Sequence, residues 1–123
     1  MQIHLKALTK SEYQSLMNIV NYVLKSLREP QDFEEFQMWD GLRDLLMDMM
    51  RRVPEMKSKM NMTLKSDAAT ALYMYVDATV LPPYEAALMA QIFYQMDVQW
   101  QSRLTMIKGN MMADKALLEG GGR

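Results

Sequence analysis

The fold is first indicated by residues 32–54, DFEEFQMWDGLRDLLMDMMRRVP, which predict a single long helix. Asp32 precedes Glu35 by three residues, the spacing of a capping box that satisfies free amides at a helix start. Pro54 cannot continue a helix, because it lacks a backbone N–H and its ring clashes with the preceding turn. Between these two signals, apolar residues recur every three or four positions. We therefore predict a helix over 33–53.

The apolar surface of this helix is wider than one packed core requires. Seven apolar side chains lie within about 60° of Leu42 on a helical wheel and form an ordinary core stripe: Met38, Trp39, Leu42, Leu45, Leu46, Met49 and Val53. Met50, Phe36 and Met47 lie at about 80°, 120° and 140°, so the apolar arc spans about 200°. A core-facing helix needs little more than about 100°. About half of this arc needs another explanation.

Three explanations are open for the surplus surface. The helix is central in the fold, or a nearby segment (residues 56–62 or the tail at 111–118) covers it, or it contacts another chain. Four-helix bundles usually have no central helix, and large exposed apolar patches usually mark partner sites. We favour the contact, with the stem of Arg43 lying across the patch. The predicted interface residues are Phe36, Arg43, Met47 and Met50.

Three further helices are predicted from the same kinds of signal. Thr9 and Glu12 form a capping box at the start of the first helix. Pro83 suits the first position of the last helix, and Gly109 suits its C-terminal cap. The predicted ranges are 10–28, 67–80 and 83–108.

Short segments before the first and third helices alternate apolar and polar residues. The pattern covers residues 2–6, with Ile3 and Leu5, and residues 60–65, with Met62. Such alternation is typical of strands. If the two segments pair, they form a two-stranded β ribbon that closes one end of the helical domain.

These segments together predict an all-α fold, a four-helix bundle made of two helix pairs. A chain of 123 residues is one domain of ordinary size. We expect the helical domain to cover residues 1–119 and residues 120–123 to form a flexible tail.

The composition excludes most classes of catalytic site and metal-binding site. The chain has no cysteine, one histidine and fifteen methionines. Without cysteine it has no disulfides, zinc–thiolate sites, iron–sulfur clusters or cysteine nucleophiles. Methionine is flexible and polarizable, so the methionines at 47–50 and 60–62 are expected to pack rather than to bind copper(I). We expect no cofactor and no bound metal.

Charge and hydropathy predict a cytoplasmic protein without a membrane or nucleic-acid partner. The net charge is −1, and the longest uncharged run, residues 86–96, is shorter than the roughly 20 residues that span a bilayer. The N-terminus lacks the apolar core of a signal peptide. Four basic residues follow or end the second helix: Arg51, Arg52, Lys57 and Lys59. Glu55 lies among them, which disfavours a nucleic-acid site.

Two further patterns have simple structural explanations. His4, the only histidine, has no catalytic partner suggested nearby and is expected on a half-exposed strand. Three aspartates repeat along one side of the second helix: Asp40, Asp44 and Asp48. Their spacing of about 6 Å is too wide for one ion without further ligands, so we expect a solvated face in which Asp48 pairs with Arg52.

The sequence thus predicts a small interaction or assembly module without catalytic activity, which pairs with itself as a homodimer or holds another protein. The alternative is an enzyme with carboxylates or tyrosines, such as Asp97 or Tyr84, in a pocket between helices. A nucleic-acid accessory protein is a third reading. Convergent buried polar groups would favour the enzyme, and a flat apolar patch would favour the module. Arg103, inside the apolar stripe of the last helix, is expected to pack its stem rather than to act in catalysis.

Overall fold

A computed structural model describes residues 2–55 and 57–121 of the chain, with side chains described except at positions 78, 103 and 106–121. In chain order its elements are β1 (Ile3–Thr9), α1 (Lys10–Ser26), α2 (Phe33–Arg52), β2 (Lys59–Leu64), α3 (Ser66–Tyr75) and α4 (Pro83–Gly121). The prediction of a mainly helical protein with four helices and a small two-stranded sheet is confirmed.

Strands β1 and β2 pair antiparallel, as the alternating pattern predicted. The register pairs Ile3 with Leu64, His4 with Thr63 and Leu5 with Met62. The apolar members of these pairs are buried, so one face of the ribbon belongs to the core. On the outer edge of β1, the Gln99 side-chain amide accepts from the His4 N–H and donates to the His4 carbonyl, both at 2.9 Å. These two bonds satisfy part of a strand edge and tie α4 to the ribbon.

A β-bulge decides which side chains of β1 are buried. The register pairs Leu5 with Met62 and then Leu8 with Met60. Lys6 and Ala7 therefore face the single residue Asn61. Ala7 has φ of 58°, and its N–H donates to the Asn61 side-chain oxygen at 2.9 Å. Because successive strand residues alternate sides, Leu5 and Leu8 would face opposite sides without the extra residue; with it, both are buried.

The core lies between the inner face of the ribbon and the helices. Helix α1 packs against α2, α4 and the ribbon, and α2 packs against α3. The largest fully buried side chains come from both strands and all four helices: Leu5, Tyr13, Leu16, Val20, Leu42, Met49, Leu64, Leu72, Met89 and Ile92. Gly41 allows α2 and α3 to approach closely, because a Cβ at that position would lie 2.9 Å from the Asp67 Cβ. Helix α3 also meets α4 where Tyr73 and Phe93 pack edge to face, with ring centroids 5.5 Å apart.

Tyr13 anchors α1 to the end of α2. Its side chain is fully buried, and its hydroxyl donates to the Met49 carbonyl at 2.9 Å. Helix α2 tightens at its end, where the Val53 N–H donates to the Met50 carbonyl. The Met49 carbonyl therefore loses the partner that an ideal α-helix would provide. Tyr13 supplies the missing donor, and burial raises the pKa of its hydroxyl.

Two helix ends differ from the prediction by more than two residues. Helix α3 ends at Tyr75 rather than near residue 80, because the Asp77 carboxylate accepts from the Thr79 N–H and hydroxyl and holds a turn. The predicted end of α4 at residue 108 is also wrong, because the helix continues past Gly109 to Gly121. One glycine costs a helix only about 1 kcal/mol, and the residues that follow include many strong helix formers. Residues 122 and 123 of the predicted tail lie outside the described residues.

Candidate protein-interaction surface

The four residues predicted to form an interface all lie on the outer face of α2. The exposed fractions of Phe36, Met47 and Met50 are 48%, 52% and 57%, and Arg43 is also exposed. From Phe36 to Met50 the surface runs about 21 Å along the helix axis. The surplus apolar arc predicted from the sequence is therefore solvent-exposed.

The inner face of α2 holds the residues that the core uses. Four of them are buried: Met38, Leu42, Leu45 and Met49. Trp39 and Leu46 lie at the boundary and are partly buried. Helix α2 thus packs on its neighbours from one side and is not a central helix. This excludes the explanation that α2 has a wide apolar arc because it is central in the fold.

The described part of the nearby connection, residues 57–62, does not cover the outer face either. Met60 and Met62 were candidates for this cover, but both are buried on the inner face of the ribbon. The alternation of β2 directs their side chains toward the core, away from the outer face of α2. The side chains of the second proposed cover, the tail over 111–118, lie outside the described residues.

Aromatic and cationic groups meet at the N-terminal half of this surface. The Phe36 and Trp39 rings pack with centroids 6.3 Å apart and an interplanar angle of 31°. The Arg43 Cζ atom lies 5.8 Å from the Trp39 ring centroid, a cation–π distance. The stem of Arg43 is therefore directed along its own helix, toward the N-terminal turn.

Phe33 is a member of this surface that the sequence reasoning missed. It is the first residue of α2 and is largely exposed, one turn before Phe36. On the wheel it lies about 60° beyond Phe36, outside the contiguous apolar arc, so the angular criterion left it out. The signal that would have found it is the spacing along the chain, since Phe33 continues a repeat of three and four residues.

Two carboxylates fix the start of α2, at the end of the surface. Asp32 accepts from the Glu35 N–H at 2.8 Å, as the predicted cap requires. Glu35 departs from the predicted capping box, because its carboxylate accepts from the Gln31 N–H and the Arg28 guanidinium, both at 2.8 Å. These hydrogen bonds, that from Gln31 first, lower the pKa of Glu35.

The aspartate stripe of α2 lies beside α3. Asp40, Asp44 and Asp48 line a surface cavity of about 560 Å³ together with Lys65 and Asp67. Within the described part of the chain, no group of three or more His, Asp or Glu side chains is arranged to hold a metal ion. The stripe is a partly solvated face, as its spacing predicted.

The expected pairing of Asp48 with Arg52 is wrong. Asp48 instead lies 3.7 Å from the Arg51 guanidinium, and Arg52 donates to the Asn61 carbonyl of β2 at 3.2 Å. The ribbon passes close to the end of α2 and offers Arg52 a backbone acceptor. Sequence spacing within one helix carries no information about that neighbour.

The residues named for an enzyme are not brought together. Asp97 lines a cavity of about 330 Å³ between α3 and α4, with Ser66, Thr70 and mostly apolar neighbours. Tyr84 lies elsewhere, on a shallow surface beside Thr9 and the start of α1. The two therefore belong to different surfaces.

The remaining candidates are dispersed. His4 is exposed on β1, with its ring Nδ1 3.2 Å from the Thr63 hydroxyl on the paired strand. Among the methionines considered for copper, Met49, Met60 and Met62 are buried whereas Met47 and Met50 are exposed, so the five sulfurs do not form one exposed cluster. The Arg103 side chain lies outside the described residues.

Comparisons with known proteins leave this surface to be interpreted on its own geometry. No family model, curated protein or solved structure matches the chain. Across the described residues, no helix combines the length and the apolar character needed to cross a membrane.

Proposed function

We propose that this protein is a small cytoplasmic protein–protein interaction module without catalytic activity, which pairs with a second copy through the outer face of α2. In this proposal the four helices act as one bundle-like scaffold that presents the face. The observation that carries the proposal is the exposure of Phe36, Met47 and Met50 on a helix whose opposite side packs into the core.

The exposure of these residues supports a partner site because soluble proteins rarely expose large contiguous apolar patches. Single exposed apolar residues are ordinary and need no explanation. Here Phe36 lies at one end of one helix face and Met47 and Met50 lie at the other end, with Arg43 between them, over about 21 Å. Aromatic residues, methionine and arginine are also the types enriched at the centres of interfaces.

A second copy of the chain is the simplest occupant. In a two-fold pair, one self-complementary patch satisfies both chains at once, and such dimers are the commonest oligomers. Methionine side chains repack at low cost, which helps two identical surfaces to fit. A helix face of this length is smaller than a standard interface, so we expect association in the micromolar range.

The experiment is sedimentation equilibrium of the unmodified chain from low to high micromolar concentration. We expect a concentration-dependent shift from the monomer mass toward the dimer mass. The double variant Met47→Glu/Met50→Glu should weaken association at least about tenfold, because it places charges in the apolar contact.

The matched control is Met74→Glu on α3. Met74 is exposed to a similar degree but lies outside the α2 face, so this variant should associate like the unmodified chain. Circular dichroism should show unchanged helicity in both variants. A monomer mass for the unmodified chain at high micromolar concentration would refute self-association.

A further inference from the structure

The outer face of α2 follows the spacing of a coiled-coil seam. Six residues alternate in steps of three and four along the helix: Phe33, Phe36, Asp40, Arg43, Met47 and Met50. This is the a/d repeat by which two helices pack knobs into holes. The apolar members lie at both ends of the seam, and the two charged members lie at its centre.

Symmetry determines what an antiparallel pair would bring together. In a two-fold interface, when residue i contacts residue j of the other chain, j also contacts i. If the two-fold axis crosses the helix pair at the level between Gly41 and Leu42, the six seam residues form three kinds of contact layer between the chains. Those layers are Phe33 with Met50, Phe36 with Met47, and Asp40 with Arg43, each formed twice.

We propose that two copies of the chain pair antiparallel through α2, with Asp40 of each chain contacting Arg43 of the other. This inference rests on the proposed function of the same face, and adds the orientation and the register of the pair. Every seam position then has a complementary partner: the aromatic rings of one end meet the thioethers of the other, and the charges meet their opposites.

The parallel arrangement is disfavoured by the same residues. In a parallel pair each position faces its own copy, so Asp40 would face Asp40 and Arg43 would face Arg43. Like charges at the centre of a helix pair oppose association and thereby select orientation. The apolar layers provide attraction in either orientation, whereas the charged layers distinguish between the two.

Within the described residues neither Asp40 nor Arg43 is held in an ion pair, and the Arg43 guanidinium lies over the Trp39 ring of its own helix. In the described part of the chain, the ion pairs are Arg28 with Glu35 and Asp48 with Arg51, so Asp40 and Arg43 are not paired there. Asp40 is partly exposed and Arg43 is exposed. The core side of α2 is about 180° away from this seam on the helical wheel, which leaves room for a second helix.

Disulfide cross-linking tests the register directly, and the chain has no cysteine of its own. Phe36→Cys and Met47→Cys are made as separate variants, mixed in equal amounts and oxidised. In the antiparallel register, the Cys at position 36 of one chain faces the Cys at position 47 of the other. We expect a covalent heterodimer from the mixture.

Each cysteine variant alone provides the control. Residues 36 and 47 are eleven positions apart, so in the antiparallel pair each lies about 16 Å along the axis from its own copy. A disulfide needs Cα atoms within about 7 Å, so neither variant should cross-link with itself. A parallel pair would give the opposite result, with each variant cross-linking alone. Met74→Cys should remain uncross-linked in either case.

Charge exchange tests the central layer. Asp40→Arg alone and Arg43→Asp alone each place like charges in both central layers, and each should raise the dimer dissociation constant about tenfold. The double variant Asp40→Arg/Arg43→Asp restores opposite charges in the antiparallel pair and should return the constant to near the original value. Asp40 is partly exposed and Arg43 is exposed, and circular dichroism checks that all three variants keep the fold.

The outcomes separate this inference from the proposed function. A dimer whose cross-links or charge exchange follow the parallel pattern, or follow neither pattern, overturns the antiparallel register while leaving self-association intact. A chain that stays monomeric at high micromolar concentration overturns both. Selective heterodimer cross-linking with rescue by the double exchange supports the register.

Discussion

Both faces of α2 carry methionine, but the surroundings of the two faces are opposite. Met49 and Met50 are consecutive residues of one helix, yet the exposed fraction is 1% for Met49 and 57% for Met50. The inner face is closed by α1 and α3, whereas the outer face carries Phe36 and Met47 into solvent. The same residue type therefore stabilises the core at one position and is free for a partner at the next.

The ribbon extends this comparison to a second pair of methionines. Met60 and Met62 are two positions apart on β2 and both are buried, because alternate residues of a strand face the same side. Met47 and Met50 are three positions apart on a helix and both are exposed. In each element the period decides which side chains point in the same direction. The fold decides whether that direction is the core or the solvent.

The largest expected effect separates the two faces with one substitution made at adjacent positions. Met49→Glu should lower the free energy of unfolding by at least about 3 kcal/mol, because it loses packing and buries a carboxylate. Met50→Glu should change it by no more than about 0.5 kcal/mol. Urea denaturation at low protein concentration, where the chain is monomeric, measures both values.

Met50→Glu should instead weaken association between chains without lowering the stability of the fold. Sedimentation of the same two proteins distinguishes the two roles, since Met50→Glu should fold normally and associate less. Equal losses of stability in both variants would contradict the division of α2 into an inner and an outer face.

The second prediction probes the anchor on the inner side of α2. Tyr13→Phe removes the hydroxyl that donates to the Met49 carbonyl and leaves that buried oxygen without its partner. We expect a loss of about 1–2 kcal/mol in the free energy of unfolding. Tyr22→Phe on the same helix is the control, because Tyr22 is exposed, and it should change stability by less than about 0.5 kcal/mol. Similar values for both variants would mean that the bond to Met49 is not stabilising.

The third prediction concerns the β-bulge that decides which side chains of β1 face the core. Ala7 is held at a positive φ, which an L-residue adopts only at a cost. Ala7→Gly should therefore raise the free energy of unfolding by about 0.5–1 kcal/mol. Ala87→Gly, at an exposed position within α4, should have the opposite sign and lower it by a similar amount. Thermal unfolding of the two variants tests the difference in sign.

The smallest expected effect is at the start of α2, where Glu35 lies before the first buried residue of the inner face. The pKa of Glu35 is lowered by its bonds to Gln31 and Arg28, so its ionised form stabilises the fold above the ordinary glutamate pKa of about 4.3. That contribution is lost as pH falls through the lowered value in the folded state. Glu35→Gln should therefore lose less stability than the unmodified chain between about pH 5 and pH 3. Urea denaturation at several pH values measures this difference in stability. Equal losses of stability in the two proteins as the pH falls would contradict the prediction.

Much of the architecture could be predicted because its signals are local. The capping box of Thr9 and Glu12 is present as expected, and α2 begins at the predicted residue. The paired strands follow from alternation at Ile3, Leu5 and the apolar residues of β2. These features depend on neighbouring residues along the chain, so the sequence contains the information needed to find them.

Two of the features that were missed depend on contacts between distant segments. The bulge at Ala7 needs the Asn61 side chain from the other strand, and Arg52 finds its acceptor on β2 rather than on α2. The end of α3 was missed for a local reason, since Asp77 and Thr79 form a turn that the helical apolar pattern concealed. The candidate site was predicted in part: Phe36, Arg43, Met47 and Met50 are exposed on one face, and Phe33 was left out.

The residue pattern alone establishes the period of each element, and it shows that α2 has more apolar surface than one core requires. Packing between distant segments then leaves the surplus part of that surface exposed, because α2 packs from one side and Met60 and Met62 face the core. Hydrophobic burial depends on the area that neighbouring elements remove from water and not on the type of residue that contributes it. Met49 and Met50 lie about 100° apart on the helical wheel, and their burial differs because α1 and α3 pack against one side of α2 only.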